Sequence, residues 1–258
     1  MTPLDFAREE DVFASGAYWR EYYTELGHEN AAAGEFLREI AAPLMPIGGL
    51  DLLDAGCGPT ALYWALFVPG QNRIEGFDLN PANIAHAERQ IAQARAGTID
   101  PSLEAAARHA VDLFGLKISP AEHIRRKAQQ IRKLGTGDLT RPWPCEKGRY
   151  DFVQSVFALE CLPSWESFEF ALNQAARALM PGGRLALVNV SRTNEWHCNG
   201  MGFPTLNLTL DGMKQRIAGT GLELIEIREV ESKDVSVRDQ GYGSIILTAA
   251  QKPLRASA

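Results

Sequence analysis

The sequence predicts a single-domain, doubly wound α/β fold built on a mostly parallel sheet of seven strands. Short apolar runs, LDLLDAG at 50–56 and RLALVNV at 184–190, have the length and composition of strands that are buried on both faces. Segments with helical spacing of apolar residues alternate with such runs, as in βαβ units. A chain of 258 residues can bury one large core. No internal repeat or linker divides it, so we expect one domain over 1–258.

The first half of the chain predicts a helical segment followed by two βα units. Residues 4–45 have helical spacing and end at prolines and glycines, which predicts an N-terminal helical lid over 1–47. The run at 50–56 predicts the first strand, and a helix is expected from about Pro59. RIEGFDLN predicts a second strand, and PANIAHAERQIAQAR predicts the helix after it.

The second half predicts an insertion and then a return to the α/β alternation. Residues 97–136 are rich in alanine and arginine with helical periodicity, which predicts a helical insert. YDFVQSVFAL and RLALVNV predict strands, while SFEFALNQAARAL and LTLDGMKQRIAGTG predict helices. LELIEIREV and YGSIILTAAQK predict an antiparallel C-terminal hairpin at a sheet edge.

Composition and charge exclude several classes of protein. The chain is 45% hydrophobic and 22% charged with a mean hydropathy of −0.17, as in ordinary soluble proteins. No apolar run approaches the roughly 18 residues of a membrane span, and the acidic N-terminus is no signal peptide, so we expect a cytoplasmic protein without a membrane partner. The net charge of −6 disfavours nucleic acid and suits small cationic ligands. Four scattered cysteines predict reduced thiols and no metal site.

Three acidic residues follow the first three predicted strands. Asp54, Asp78 and Asp138 each lie at the carboxyl end of a candidate strand, where an open α/β sheet forms its ligand crevice, with Asp138 in the predicted strand-end loop TGDLTRPWP. Gly56 and Gly58 permit a tight turn and a close approach of a ligand to the backbone. Asp78, 20 residues after Gly58, can accept hydrogen bonds from two ribose hydroxyls. The pattern predicts a nucleoside site.

The glycine pattern also satisfies the loose dinucleotide fingerprint, so a nicotinamide dinucleotide is the first rival ligand. Pro59 follows the second glycine directly, and proline lacks the N–H that would bind a pyrophosphate. Motifs of short-chain dehydrogenases, P-loop proteins, α/β-hydrolases and zincins are absent from the chain. S-adenosyl-L-methionine (SAM), a nucleoside without phosphates, therefore fits better. An NAD oxidoreductase and a SAM- or nucleoside-binding module without catalysis stay open as alternatives.

The ordered motifs resemble those of class I SAM-dependent methyltransferases. They are LLDAGCGPT, FDLNPANIAHAE, GD at 137–138, FVQSVFALECL and LMPGGRLALV. AYWREYYTEL, GCGPT and FALECLPSWESFEFAL further resemble segments of the nicotinamide, phenylethanolamine and thioether (indolethylamine) N-methyltransferase family, over about residues 15–250. We identify the chain as a bacterial-type member. The resemblance implies a Rossmann-like methyltransferase fold, with SAM as cofactor and S-adenosyl-L-homocysteine (SAH) as product.

The resemblance also implies roles for individual residues. Together with the glycine turn, it assigns the cofactor to Tyr18, Tyr23, Asp54, Gly56, Cys57, Gly58, Thr60, Asp78, Asn83, Asp138, Leu139 and Val156. It assigns the acceptor pocket to Tyr18, Glu160, Asn189, Thr193, Trp196 and Thr205, with Glu160 and Asn189 as the catalytic pair. Asn189 departs from the family, which usually has an aspartate there, and a neutral amide cannot pair with an ammonium group.

We therefore expect methyl transfer to a small-molecule acceptor, at an amine or a heterocyclic nitrogen. Methyl transfer to sulfur, oxygen or carbon is an alternative on the same fold. So is attack by the SAM amine on its own chain, which releases methylthioadenosine. We expect no metal, and a monomer or a homodimer.

Overall fold

The computed structural model describes residues 15–45, 49–233 and 241–254. The predicted helix and lid begin earlier, and residues 1–14 and 46–48 of those predictions lie outside the described residues. No helix in the described ranges is long and apolar enough to cross a membrane.

A seven-stranded sheet forms the centre of the fold and confirms the predicted class. Its strands in chain order are β1 (Asp51–Ala55), β2 (Arg73–Asp78), β3 (Ile131–Thr136), β4 (Tyr150–Val156), β5 (Leu179–Val190), β8 (Glu223–Glu231) and β9 (Ser244–Gln251). Their spatial order is β3-β2-β1-β4-β5-β9-β8. The first five strands are parallel, whereas β9 is antiparallel to both β5 and β8. The chain order reverses between β1 and β4, which places a ligand crevice at their carboxyl ends.

Helices cover both faces of this sheet. They are α1 (Ser15–Tyr22), α2 (His28–Ala41), α3 (Ala61–Ala65), α4 (Pro81–Arg95), α5 (Glu104–Leu113), α6 (Pro120–Gln130), α7 (Trp165–Ala178) and α8 (Leu210–Gly219). Side chains of successive strand residues point to opposite faces. Leu52 accordingly joins a core cluster with residues of α1 to α6, while Leu53 joins a second cluster with α7 and α8.

The predicted helical insert, 97–136, differs from the structure at its C-terminal end. Helices α5 and α6 form within it, but α6 ends at Gln130 and residues 131–136 form edge strand β3. Ile131 pairs with Ile74 of β2. The sequence RRKAQQIRKL keeps a helical spacing through this boundary, so hydrogen bonding to β2 overrides the local pattern.

A two-stranded antiparallel hairpin is a feature that the sequence did not predict. Strands β6 (Glu195–Cys198) and β7 (Met201–Pro204) form a separate small sheet. The hairpin packs against α1. The Tyr22 hydroxyl donates to the carbonyl of His197, and the N–H of Asn199 donates to the Glu21 carboxylate at 2.8 Å. These contacts join the N-terminal helix to a segment about 175 residues away in sequence.

Close packing of α2 provides a test of the fold. A Cβ on Gly34 would lie 2.4 Å from a ring carbon of Phe67, so Gly34→Ala should destabilise the protein by about 1–3 kcal/mol despite its better helix propensity. Gly219→Ala in α8 is the matched control, because no atom lies within 4 Å of its added methyl group. Urea unfolding measures both. Equal stabilities of the two variants would contradict this packing.

Candidate active site

The glycine turn after β1 is held by the end of the neighbouring strand. The N–H groups of Gly56 and Cys57 both donate to the carbonyl of Phe77 in β2, at 2.9 and 3.0 Å. Gly56 and Gly58 have φ of 72° and 54°, in the left-handed region that favours glycine. A Cβ on Gly56 would lie 2.7 Å from the Cβ of Ala158. Any side chain at Gly56 would therefore collide with Ala158, so the turn requires glycine at this position.

Asp78 closes the turn from the end of β2. Its Oδ2 accepts a hydrogen bond from the N–H of Gly58, and its Oδ1 accepts from the N–H of Asn80 and the side-chain amide of Asn83, each at 2.9 Å. Burial raises the pKa of Asp78, and these three donors oppose the rise. Ser15 of α1 donates to Asn83 Oδ1 at 2.8 Å, so the first described helix is tied to the same cluster.

A cavity of about 340 Å³ opens between the carboxyl ends of β1, β2 and β4. Of the predicted site residues, ten line it: Tyr18, Gly56, Gly58, Thr60, Asp78, Asn83, Asp138, Leu139, Val156 and Trp196. Asp138 Oδ1 accepts from the N–H and hydroxyl of Thr140, both at 2.7 Å. Leu139 and the exposed Leu79 also line the cavity. One end of it thus combines two acids with apolar side chains.

Aromatic rings form the opposite end of the cavity. Tyr18, Trp196 and Phe203 line it, from α1, β6 and β7 respectively. Trp196 stacks on Phe203 with ring centroids 4.7 Å apart, and Tyr18 meets Trp196 edge-on at 5.8 Å. The hydroxyls of Tyr18 and Tyr23 lie 3.0 Å apart. Burial raises the pKa of both phenols, so both stay neutral. This end of the cavity is therefore lined by neutral aromatic side chains.

Glu160 and Asn189 are brought together, but behind the cavity wall. Glu160 is 1% exposed and Asn189 is 0% exposed, and neither lines the cavity. The Asn189 amide donates to Glu160 Oε2 at 2.6 Å, and the N–H of Val190 donates to Oε1 at 3.2 Å. Burial raises the pKa of Glu160 to about 7, and both donors oppose the rise. The adjacent Cys161 does line the cavity.

Five further predicted residues also lie off the cavity wall. Tyr23 is buried behind Tyr18, and Asp54 is buried under the glycine turn. The Cys57 side chain packs with residues of α3 and α4. The hydroxyl of Thr193 donates to the carbonyls of Glu195 and Gly241, and the hydroxyl of Thr205 donates to the carbonyl of Thr193. Both threonine hydroxyls are thus engaged at the base of the hairpin.

Several wall residues were missed by sequence reasoning: Leu79, Asn80, Thr140, Phe157, Ala158, Cys161, Leu162, Pro163, Phe203 and Pro204. Leu79 and Asn80 directly follow β2, and Phe157 and Ala158 directly follow β4. Phe157 follows β4 with φ of 54°, an unusual backbone conformation for a bulky residue. Phe203 and Pro204 belong to the unpredicted hairpin, so no local signal indicates them.

Comparison with known proteins decides the family. The model of the NNMT/PNMT/TEMT family matches residues 4–252. The chain belongs to this family. Its cofactor is therefore SAM, as the resemblance implied. No curated protein matches the chain.

Solved structures share the fold at low sequence identity. A SAM-dependent methyltransferase from Methanosarcina mazei is 16% identical with a TM-score of 0.58, over 83% of this chain and 97% of that one. The N-methyltransferase NodS from Bradyrhizobium japonicum, in complex with SAH, is 12% identical with a TM-score of 0.57, over 97% of each chain. The [4+2]-cyclase SpnF is 14% identical with a TM-score of 0.63, over 96% and 95%.

The residues of the cavity suit SAM. Asp78 Oδ2 accepts one protein donor, and a carboxylate oxygen can accept another from a ribose hydroxyl. Leu79 and Leu139 offer apolar surface to a base, and Gly56 and Gly58 line the same cavity with backbone alone. No group of three or more histidine, cysteine or acidic residues that could hold a metal occurs in the described parts of the chain.

The variant Asp78→Asn tests whether the Asp78 carboxylate contributes to SAM binding. The amide keeps one oxygen where three protein donors and the ribose hydroxyls need two, so SAM affinity should fall roughly 10- to 100-fold. Isothermal titration calorimetry measures it. Asp211→Asn is the control, because the Asp211 side chain is 88% exposed on α8. Equal SAM affinities of the two variants would contradict this role for Asp78.

Proposed function

We propose that this protein transfers a methyl group from SAM to a small-molecule acceptor, at an amine or a heterocyclic nitrogen. The observation that carries the proposal is that acidic and aromatic side chains line the same cavity. The acids Asp78 and Asp138 line one end, and the rings of Tyr18, Trp196 and Phe203 line the other. A nucleoside held by the acids would direct its sulfonium carbon toward an acceptor lying against the rings.

Positioning accounts for most of the expected rate enhancement. SAM, when bound, supplies a methyl carbon that is already activated by its sulfonium. The task left to the protein is to align this carbon with the attacking atom, and such alignment contributes on the order of 7–11 kcal/mol in well-oriented reactions. The stacked pair of Trp196 and Phe203 offers a flat surface for a planar acceptor or, by cation–π attraction, a positive one.

We propose further that Glu160 takes up the proton that an acceptor nitrogen loses. Its carboxylate acts electrostatically on Tyr23, whose hydroxyl contacts Tyr18 at the cavity wall. The proposal requires a proton path from the cavity to the buried acid, and the contact between the two phenols supplies its first step at the wall. Asn189 donates to Glu160 and so fixes the carboxylate. In this proposal Glu160 and Asn189 act behind the wall, while Thr193 and Thr205 hold the hairpin in place.

A second function on the same fold is favoured by one comparison. SpnF, with its TM-score of 0.63, is a [4+2]-cyclase, so this fold also supports reactions other than methyl transfer. The apolar acceptor end, rich in rings, would also suit a cyclisation substrate. Alternatives within SAM chemistry are transfer to sulfur, oxygen or carbon and release of methylthioadenosine.

A product assay distinguishes these functions. The protein is incubated with SAM and a panel of amines, N-heterocycles, thiols and phenols, and SAH and methylthioadenosine are quantified. Acceptor-dependent SAH with a methylated nitrogen supports the proposal, whereas methylthioadenosine means that the methyl group does not move. Calorimetry with NAD completes the test, and tight NAD binding without a response to SAM would overturn the proposal.

The buried acid predicts a pH dependence. With the pKa of Glu160 raised to about 7, methyl transfer should rise with pH through about 7 and level off as the carboxylate ionises. Glu160→Gln should lose this inflection and slow turnover by on the order of 100-fold, while SAM affinity stays near that of the wild type. Unchanged turnover would exclude Glu160 as the proton acceptor.

Asn189→Asp gives a matched variant for the same group. It places a second carboxyl group where the amide now lies 2.6 Å from Glu160, and like charges raise the pKa of such a pair. We expect the inflection of the pH–rate profile to move above 7. A profile identical to the wild type would mean that the pair does not titrate during turnover.

A further inference from the structure

Asp54 is a buried acid in the middle of the sheet. It pairs with Gly76 of β2 on one side and with Gln154 of β4 on the other. Asp54 and Gln154 are each 1% exposed. Two residues earlier on the same strands, Leu52 and Phe152 belong to one core cluster, so the side chains of Asp54 and Gln154 point to that same face. The acid and the amide are therefore neighbours beneath the glycine turn.

Three acceptor atoms of this pair lack donors. Neither carboxylate oxygen of Asp54 nor Oε1 of Gln154 makes a hydrogen bond of ordinary geometry within the described residues. Buried polar atoms are nearly always hydrogen-bonded, and each exception needs a cause. A proton on Asp54 would turn one acceptor into a donor, and Gln154 Oε1 on the neighbouring strand is an acceptor that lacks one. One proton thus satisfies an atom on each strand, which an ionised carboxylate cannot do.

The electrostatic surroundings hold that proton. Burial raises the pKa of Asp54 to about 7, the Asp78 carboxylate adds to the rise, and the Gln154 side chain opposes it. On the turn, burial and both acids raise the pKa of the Cys57 thiol, which stays neutral. On α3, burial keeps Tyr63 neutral as well. No basic side chain of the described ranges contributes to the pKa of Asp54.

We infer that Asp54, with Gln154 beside it, holds a proton until a cation enters the cavity, and that the pair thereby discriminates the sulfonium cofactor from its thioether product. The inference rests on the proposed methyl transfer, in which SAM enters and SAH leaves. The Asp54 carboxyl group loses its proton to solvent as the sulfonium binds, and it regains one from solvent when SAH replaces SAM. No bond of the cofactor is involved.

The physical basis is the low dielectric of the site. Asp54 already responds to the charge of Asp78 on the cavity wall, so a positive charge in that cavity acts on it in the opposite sense. SAH has no sulfonium charge and leaves the proton in place. Affinity for SAM should therefore increase with pH through about 7. The protonation state of Asp54 should leave the affinity for SAH unchanged over the same range.

Calorimetry on the full chain tests this. SAM and SAH are titrated at pH 7 in phosphate and in Tris, whose different ionisation enthalpies report the protons exchanged. We expect SAM to release about half a proton more than SAH, and the ratio of SAH to SAM dissociation constants to rise about tenfold between pH 6 and pH 8. Asp54→Asn should abolish both effects. Any proton release that remains in this variant comes from the amino group that both ligands carry, and it is subtracted from the wild-type value. Asp211→Asn should retain both.

Gln154→Glu gives a second variant that does not depend on how Asp54→Asn folds. Two adjacent carboxyl groups share a proton more tightly, so SAM should release more protons at pH 8 than it does with the wild type. If SAM binds to the wild type but releases no more protons than SAH does, the inference is overturned and the proposed function is not affected. A failure of SAM to bind at any pH would overturn the proposed function together with this inference.

Discussion

The site depends on how the end of β2 holds the glycine turn. Phe77 accepts two consecutive N–H groups of the turn, and Asp78 accepts a third from Gly58. Hydrogen bonds to one neighbouring strand thus fix the turn, together with those of the Thr60 N–H and hydroxyl to the Cys57 carbonyl. Asp78 has two tasks as a result, because the same carboxylate shapes the turn and faces the cavity. The glycine turn and the Asp78 carboxylate that faces the cavity therefore belong to one hydrogen-bonded unit.

The aromatic end of the cavity, where we propose that the acceptor binds, is constructed from segments that are remote in sequence. Helix α1 and the β6–β7 hairpin contact each other through Tyr22, Glu21 and the rings of Tyr18 and Trp196. A rigid sheet thus supplies the cofactor end, while two elements outside the sheet supply the acceptor end. Such a division lets acceptor preference vary among proteins of one fold without change to the nucleoside site.

Two buried acids, Glu160 and Asp54, lie behind the walls of this cavity and differ in their hydrogen-bond partners. Glu160 accepts hydrogen bonds from Asn189 and Val190, which stabilise its ionised form. Asp54 accepts no hydrogen bond of ordinary geometry among the described residues, and Oε1 of the neighbouring Gln154 also lacks a donor. Burial raises the pKa of both to about 7, and acids perturbed in this way are typical of functional sites.

Most of the sheet and Asp78 could be predicted from the sequence. Buried strands appear as apolar runs, and parallel strands bring their carboxyl ends to one edge, which places Asp78 at the cavity; Asp138 lies there too, after a strand whose sequence has a helical pattern. Only the tertiary structure decided that 131–136 joins the sheet, because pairing with β2 outweighs its helical pattern. The same holds for Phe203 at the wall and for Glu160 behind it. Contacts between distant segments decide both positions, and no local pattern records such contacts.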